Sequence, residues 1–109
     1  MTRQHAIDAA LAHFDDPEGF FEDLKARVAV PTESQNAARL PDCYAYLEEE
    51  MRDAFEALGY ACRVYDNPYD GCGPILLATR WEGDDLPTVL GYGHGDTVLG
   101  QEGQWKDNL

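Results

Sequence analysis

The 109-residue sequence has little positive charge, with 8 Lys and Arg against 21 Asp and Glu and a formal net charge of -13. A chain with this excess of negative charge repels phosphate backbones and anionic lipid headgroups. We therefore expect neither a nucleic-acid partner nor a membrane partner.

Long apolar runs and cysteines are also scarce. No apolar stretch reaches the length of a membrane span. The first residues, "MTRQHAIDAALAHFDD", lack the uninterrupted apolar core of a secretory signal. The three cysteines, Cys43, Cys62 and Cys72, are odd in number and lack metal-type spacing, so they predict reduced thiols in a cytoplasmic protein. A nucleophilic cysteine is disfavoured, because neither Cys62 nor Cys72 has a nearby basic neighbour in the sequence apart from Arg63 beside Cys62.

The composition is that of a folded chain. The hydrophobic fraction is 44%, and the sequence holds 2 Trp, 6 Tyr and 4 Phe, which is rich for a disordered protein. The length suits one small domain or a piece of a larger one. There is no internal repeat.

Apolar residues at helical spacing predict three helices. The first covers about residues 3–14. Asp16 and Pro17 predict the cap and first position of a second helix, which Pro31 ends. A third helix opens at Pro41 and closes at Gly59, where a C-terminal cap belongs.

Three strand candidates follow the helices. "YACRVYD" (60–66) alternates, with Ala61, Arg63 and Tyr65 on one face, whereas "ILLAT" (75–79) and "TVLGYG" (88–93) are nearly continuous apolar runs. The pattern predicts an α/β fold, with about three helices and then three strands in a helix-covered mixed sheet.

His94 and Asp96 stand where the third predicted strand ends, between glycines. In an extended backbone two residues that are two apart point to the same side. Imidazole is a common zinc ligand, and a neighbouring carboxylate can fix its tautomer. His-x-Asp alone is a weak motif, however, and the simpler interpretation of these residues is that Asp96 caps a turn and His94 is a partly buried ring with its hydrogen bonds satisfied. His5 and His13 lie far upstream on the first helix, and we interpret both as surface residues.

Longer segments give the motif a context. They are "LKARVAVPTES", "LEEEMRDAFEALGYACRVYDNP", "GPILLATRWEGDDLPTVLGYGHGDTV" and "GQWKDNL". Together they resemble the N-terminal part of metallopeptidase family twenty, the zinc-dependent exopeptidases and deacylases that include carboxypeptidase G, acetylornithine deacetylase, succinyl-diaminopimelate desuccinylase and aminoacylase. The resemblance implies the opening of a zinc-exopeptidase-type sheet.

The resemblance also implies roles for two residues. His94 would ligate one ion of a two-zinc site, with cobalt or manganese as alternative metals, and Asp96 would be the active-site aspartate that orients His94. The implied reaction is hydrolysis of an amide near a free carboxylate in a small peptide or N-acyl amino acid. The bridging aspartate, the glutamate base and the other ligands of the family have no counterpart up to Leu109.

We therefore expect residues 1–109 to be the N-terminal portion of a catalytic domain, without its lid or dimerisation domain and inactive by itself. The competing interpretation is a small non-enzymatic α/β module for binding or self-assembly, or the product of a decayed gene. In either case an uncovered sheet surface predicts homo-oligomer contacts.

Overall fold

The computed structural model describes residues 2–106. These residues divide into two compact units, and the boundary along the chain falls between Val30 and Pro31. The last three residues of the "GQWKDNL" segment lie outside the described residues. The structure combines helices with a small antiparallel sheet, so the general prediction of mixed helix and strand is confirmed. Across residues 2–106, no helix has both the length and the apolar character to cross a bilayer.

The first unit contains two helices, α1 (Arg3–Asp15) and α2 (Phe20–Val28), which pack on each other. Helix α1 matches the prediction to within one residue, and Thr2 caps it by accepting a hydrogen bond from the backbone amide of His5. The rings of Phe14, Phe20 and Phe21 form a cluster with centroids 5.4 Å apart in each pair. This aromatic cluster joins the end of α1 to the start of α2.

The predicted start of α2 was wrong. Asp16 caps a turn instead of the helix, accepting a hydrogen bond of 3.0 Å from the Glu18 amide, and Gly19 occupies the N-cap position. The chain turns back so closely that a β-carbon on Gly19 would lie 2.6 Å from the carbonyl oxygen of His13. A side chain at position 19 would clash there, so the tight turn requires glycine. Helix α2 begins at the next residue.

The second unit begins with a hydrogen-bonded turn, which is followed by a helical stretch over residues 40–57. The stretch consists of α3 (Leu40–Ala45), a π-helical segment (Tyr46–Met51) and α4 (Arg52–Ala57), preceded by a 3-10 turn at Ala37–Arg39. Pro41 lies in the first turn of α3, and Gly59 follows the end of α4 with a positive φ of 83°. Both predicted ends of the third helix are therefore confirmed.

The sheet is a hairpin of β1 (Ala61–Tyr65) and β2 (Ile75–Thr79), in register from Ala61 opposite Thr79 to Tyr65 opposite Ile75. Helix α4 packs against both strands. The alternation predicted for β1 is confirmed, since Cys62 and Val64 are half-buried while their neighbours are exposed. Strand β2 alternates in the same way, so one face of the hairpin is covered and the other is open.

The predicted third strand was wrong. Residues 88–93 run without helix or strand, and the sheet that the described residues form has two strands. A strand exists only where a neighbouring strand accepts and donates its backbone hydrogen bonds. Residues 88–93 have strand composition, but no described segment pairs with them. His94 therefore follows an unpaired segment and does not stand at the end of a sheet strand.

Little of the surface is removed from water. Among described side chains, Cys43 and Thr32 are the most buried, with 6% and 5% of their surface exposed. Both belong to the second unit, on α3 and on the segment that precedes it. The best-packed part of this unit is therefore close to the residues that hold the His94 loop.

Candidate functional site

The site consists of the loop that carries His94, Gly95 and Asp96 and of a segment more than 60 residues earlier, Thr32–Ser34. Glu33 and Thr97 form an isolated parallel bridge between the two segments. The Thr97 amide donates a hydrogen bond of 2.9 Å to the Thr32 carbonyl. These contacts bring two distant parts of the sequence side by side.

Two hydroxyl groups strengthen this connection. The Thr32 hydroxyl donates to the Gly95 carbonyl over 2.6 Å, and the Ser34 hydroxyl donates to Oδ2 of Asp96 over 2.7 Å. Thr32 is almost fully buried, so its bond is shielded from competing water. One hydroxyl therefore holds the backbone of the loop and the other holds its carboxylate.

The ring of Tyr46 supports the same loop from the helical side. A β-carbon on Gly95 would overlap the ring, lying 2.7 Å from Cζ and 2.8 Å from the phenolic oxygen. Tyr46 is the first residue of the π-helical segment, a type of helix irregularity that often occurs at functional sites. Glycine at position 95 lets the loop approach this ring closely.

The His94 and Asp96 side chains contact each other directly. Nδ1 of His94 and Oδ1 of Asp96 are 3.0 Å apart. An ionised carboxylate only accepts hydrogen bonds, so the neutral ring carries its proton on Nδ1 and keeps a lone pair on Nε2. The His94 side chain is 70% exposed, and no hydrogen bond to Nε2 is formed by the groups that the structure describes. The arrangement leaves Nε2 ready to bind an electrophile or a metal ion.

The surroundings favour the ionised form of Asp96. The hydrogen bond from Ser34 lowers the pKa of Asp96, partial burial opposes this effect, and the hydrogen bond and charge of His94 lower the pKa further. Asp96 is therefore an anion at neutral pH and accepts from both neighbours.

The described side chains do not form a closed metal site. Among the side chains that the structure describes, no group of three or more His, Cys, Asp or Glu is placed to hold a metal ion. Zinc sites use three or four protein ligands. His94, with a carboxylate on its second nitrogen, fits the pattern of one zinc ligand with its orienting partner.

A surface depression formed by residues 98–105 does not include this pair. It has a volume of about 350 Å³ and is open to solvent. Its walls are formed by Val98, Leu99, Gly100, Gln101, Gln104 and Trp105. The residues that line it come directly after the His94 loop in the sequence, and its walls are mainly apolar.

Two of the three cysteines, Cys43 and Cys62, are poorly suited to act as nucleophiles. Burial raises the pKa of the Cys43 thiol, and the nearby charges of Asp96 and Asp42 raise it further. Burial also raises the pKa of Cys62. Both shifts oppose formation of the thiolate that covalent catalysis needs. Cys43, Cys62 and Cys72 are all free thiols in the structure.

Sequence reasoning placed His94 and Asp96 on one side, and the structure brings their side chains into contact. Thr32 and Ser34, which hold this loop, were not among the residues that the sequence singled out. Ser34 is the one serine of the sequence, and it follows a proline and a threonine shortly after a helix end. That position in the sequence was the one signal that could have drawn attention to Ser34. Nothing in the neighbouring residues indicates its hydrogen bond to Asp96.

In comparisons with known proteins, the chain matches no family model, no curated protein and no solved structure.

Proposed function

We propose that these 109 residues are the N-terminal part of a two-zinc metallohydrolase that cleaves an amide bond near a free carboxylate. The observation that supports this most is the contact of His94 Nδ1 with Asp96 at 3.0 Å, which leaves Nε2 exposed. A carboxylate on the second nitrogen of a ligand histidine is the usual outer shell of a zinc site.

Each residue has a distinct role in this proposal. His94 would hold one ion through Nε2, and Asp96 would fix the tautomer and make the ring a stronger donor. When bound, zinc supplies polarisation of the scissile carbonyl and a bound water of lowered pKa. The remaining ligands and the general base would come from residues outside this stretch, because the described residues form no three-ligand group.

The substrate class, a small peptide or N-acyl amino acid, rests on the resemblance to metallopeptidase family twenty. The choice of zinc over cobalt or manganese rests on the same resemblance. The zinc-exopeptidase-type sheet and the cytoplasmic location belong to the proposal as well. The free state of all three cysteines agrees with a reducing compartment.

A second candidate function is a non-enzymatic module that acts by binding or self-assembly. It is favoured by Val89, Leu90 and Tyr92, which are 89%, 90% and 93% exposed in a segment without strand partners. Apolar residues this accessible mark interaction surfaces in many proteins.

The test compares the 109-residue chain with the full-length product of its gene by zinc calorimetry and by an assay on N-acyl amino acids and dipeptides. We expect the 109-residue chain to bind zinc weakly and to hydrolyse neither substrate, because one ligand does not hold the ion. We expect the full-length protein to bind zinc tightly and to be active.

Substitutions in the full-length protein locate the site. His94→Ala should remove zinc and activity together, and Asp96→Ala should reduce affinity or activity by about 10- to 100-fold. His5→Ala is the matched control, because His5 is an exposed imidazole on α1 and should leave both unchanged. Tight zinc binding by the 109-residue chain, or a full-length protein indifferent to His94→Ala, would contradict the proposal.

A further inference from the structure

The segment Thr32–Ser34 places two hydroxyl groups on the His94 loop, and the reaction proposed above assigns neither of them a role. The Thr32 hydroxyl bonds to a main-chain carbonyl and therefore acts on the path of the backbone. The Ser34 hydroxyl bonds to a side chain, Oδ2 of Asp96, at a distance of 2.7 Å. The Ser34 hydroxyl therefore acts on the orientation of the Asp96 carboxylate.

A carboxylate at the end of a side chain rotates freely unless both oxygens are held. Here Ser34 holds Oδ2 while His94 Nδ1 lies 3.0 Å from Oδ1. With both oxygens occupied, the carboxylate plane is set relative to the imidazole ring. Charge-assisted hydrogen bonds of this kind are short and directional.

We propose that Ser34 is a positioning residue that, through Asp96, keeps the proton of the His94 ring on Nδ1 and the lone pair of Nε2 towards solvent. The bond brings a residue of the segment before α3 to the loop that carries His94. The consequence for metal binding rests on the proposed function, whereas the tautomer itself is a property of the metal-free chain.

The test is a nitrogen-15 spectrum of the imidazole rings in the metal-free 109-residue chain at about pH 8, which is above the reference pKa of imidazole in model peptides. The signals of His94 are identified by their loss in His94→Gln. We expect the Nδ1–H tautomer to dominate at His94. Ser34→Ala should lower the ratio of Nδ1–H to Nε2–H by about two- to tenfold, the range of one net hydrogen bond.

Two further variants separate positioning from general damage. Ser34→Thr keeps the hydroxyl and should restore the ratio, and Gln35→Ala, in the same turn, should leave it unchanged. A backbone amide spectrum verifies that each variant is folded. An Nε2–H tautomer at His94 in the unmodified chain, or no change in Ser34→Ala, would overturn the proposal.

The two proposals can fail separately. If the tautomer responds as expected but the full-length protein binds no zinc, Ser34 positions the ring of a site with another ligand. If zinc binds through His94 but the tautomer ignores Ser34, the metal site stands and the positioning role does not.

Discussion

At the scale of single residues, Gly95 lies so close to the ring of Tyr46 that a β-carbon on Gly95 would overlap the ring. Gly95 lies between His94 and Asp96, so the Tyr46 ring lies next to the backbone that carries the pair. Gly93, on the other side of His94, has open space where a β-carbon would be. The Tyr46 ring therefore leaves no room for a side chain at Gly95, whereas Gly93 has room for one.

This difference predicts opposite results for two similar substitutions. Gly95→Ala should lower the free energy of unfolding by about 1 to 3 kcal/mol, because the methyl group overlaps the Tyr46 ring. Gly93→Ala should be neutral or stabilise by up to about 1 kcal/mol, because it restricts the unfolded chain without a clash. Urea unfolding of both variants measures the difference.

The explanation has its own check in a double variant. Tyr46→Ala removes the ring that the new methyl group would strike, so Gly95→Ala should cost much less in that background. Equal costs with and without the ring would show that the backbone conformation of Gly95, and not the ring, demands glycine.

At the scale of elements, the end of α4 determines how the helical stretch leads into the hairpin. The Gly59 amide donates to the Glu56 carbonyl and the Tyr60 amide donates to the Phe55 carbonyl, which is the bonding pattern of a Schellman cap. The rings of Phe55 and Tyr60 meet at 5.4 Å and add the apolar contact of that motif. The cap directs the chain into β1 only two residues after Gly59.

Gly59→Ala should therefore destabilise the second unit. The φ of Gly59 is 83°, a region that costs a residue with a β-carbon about 1 to 2 kcal/mol. Gly91→Ala is the matched control, since position 91 has neither a positive φ nor a close neighbour. Thermal unfolding should show a lower Tm for Gly59→Ala, and an equal Tm for the two variants would mean that the cap does not limit stability.

At the scale of the whole molecule, exposed apolar surface is opposed by a large negative charge. Val89, Leu90 and Tyr92 are each about nine-tenths exposed, and Ile75 and Leu77 lie on the open face of the hairpin. Apolar surface favours contact between copies, while a net charge of -13 on each copy keeps them apart.

We therefore predict self-association that increases with salt, because added ions screen the repulsion between copies and leave the apolar attraction in place. Sedimentation over a range of protein and salt concentrations measures it. Leu90→Glu should reduce the association, whereas Val28→Glu, at an exposed apolar residue of the first unit, should reduce it less. A monomer at every concentration and salt level would refute the prediction.

The sequence predicted the features that depend on neighbours along the chain. The spacing of Ile7, Leu11 and Phe14 predicted α1, alternation predicted β1, and Gly59 marked the end of α4. The placement of His94 and Asp96 on one side also followed from their separation by one residue. Each of these features is set by backbone geometry within a few residues, so local patterns were sufficient.

Features that depend on distant partners were decided by the tertiary structure. Residues 88–93 have the composition of a strand but lack a pairing segment among the described residues, and composition cannot supply one. Ser34 donates a hydrogen bond to Asp96, which is 62 positions later in the sequence. The Tyr46 ring contacts Gly95, although the rest of the helical stretch and the hairpin separate these two residues in the sequence. The sequence by itself therefore determined which residues could do chemistry, and the fold decided which side chains hold them in place, because hydrogen bonds and ring contacts act across space and not along the chain.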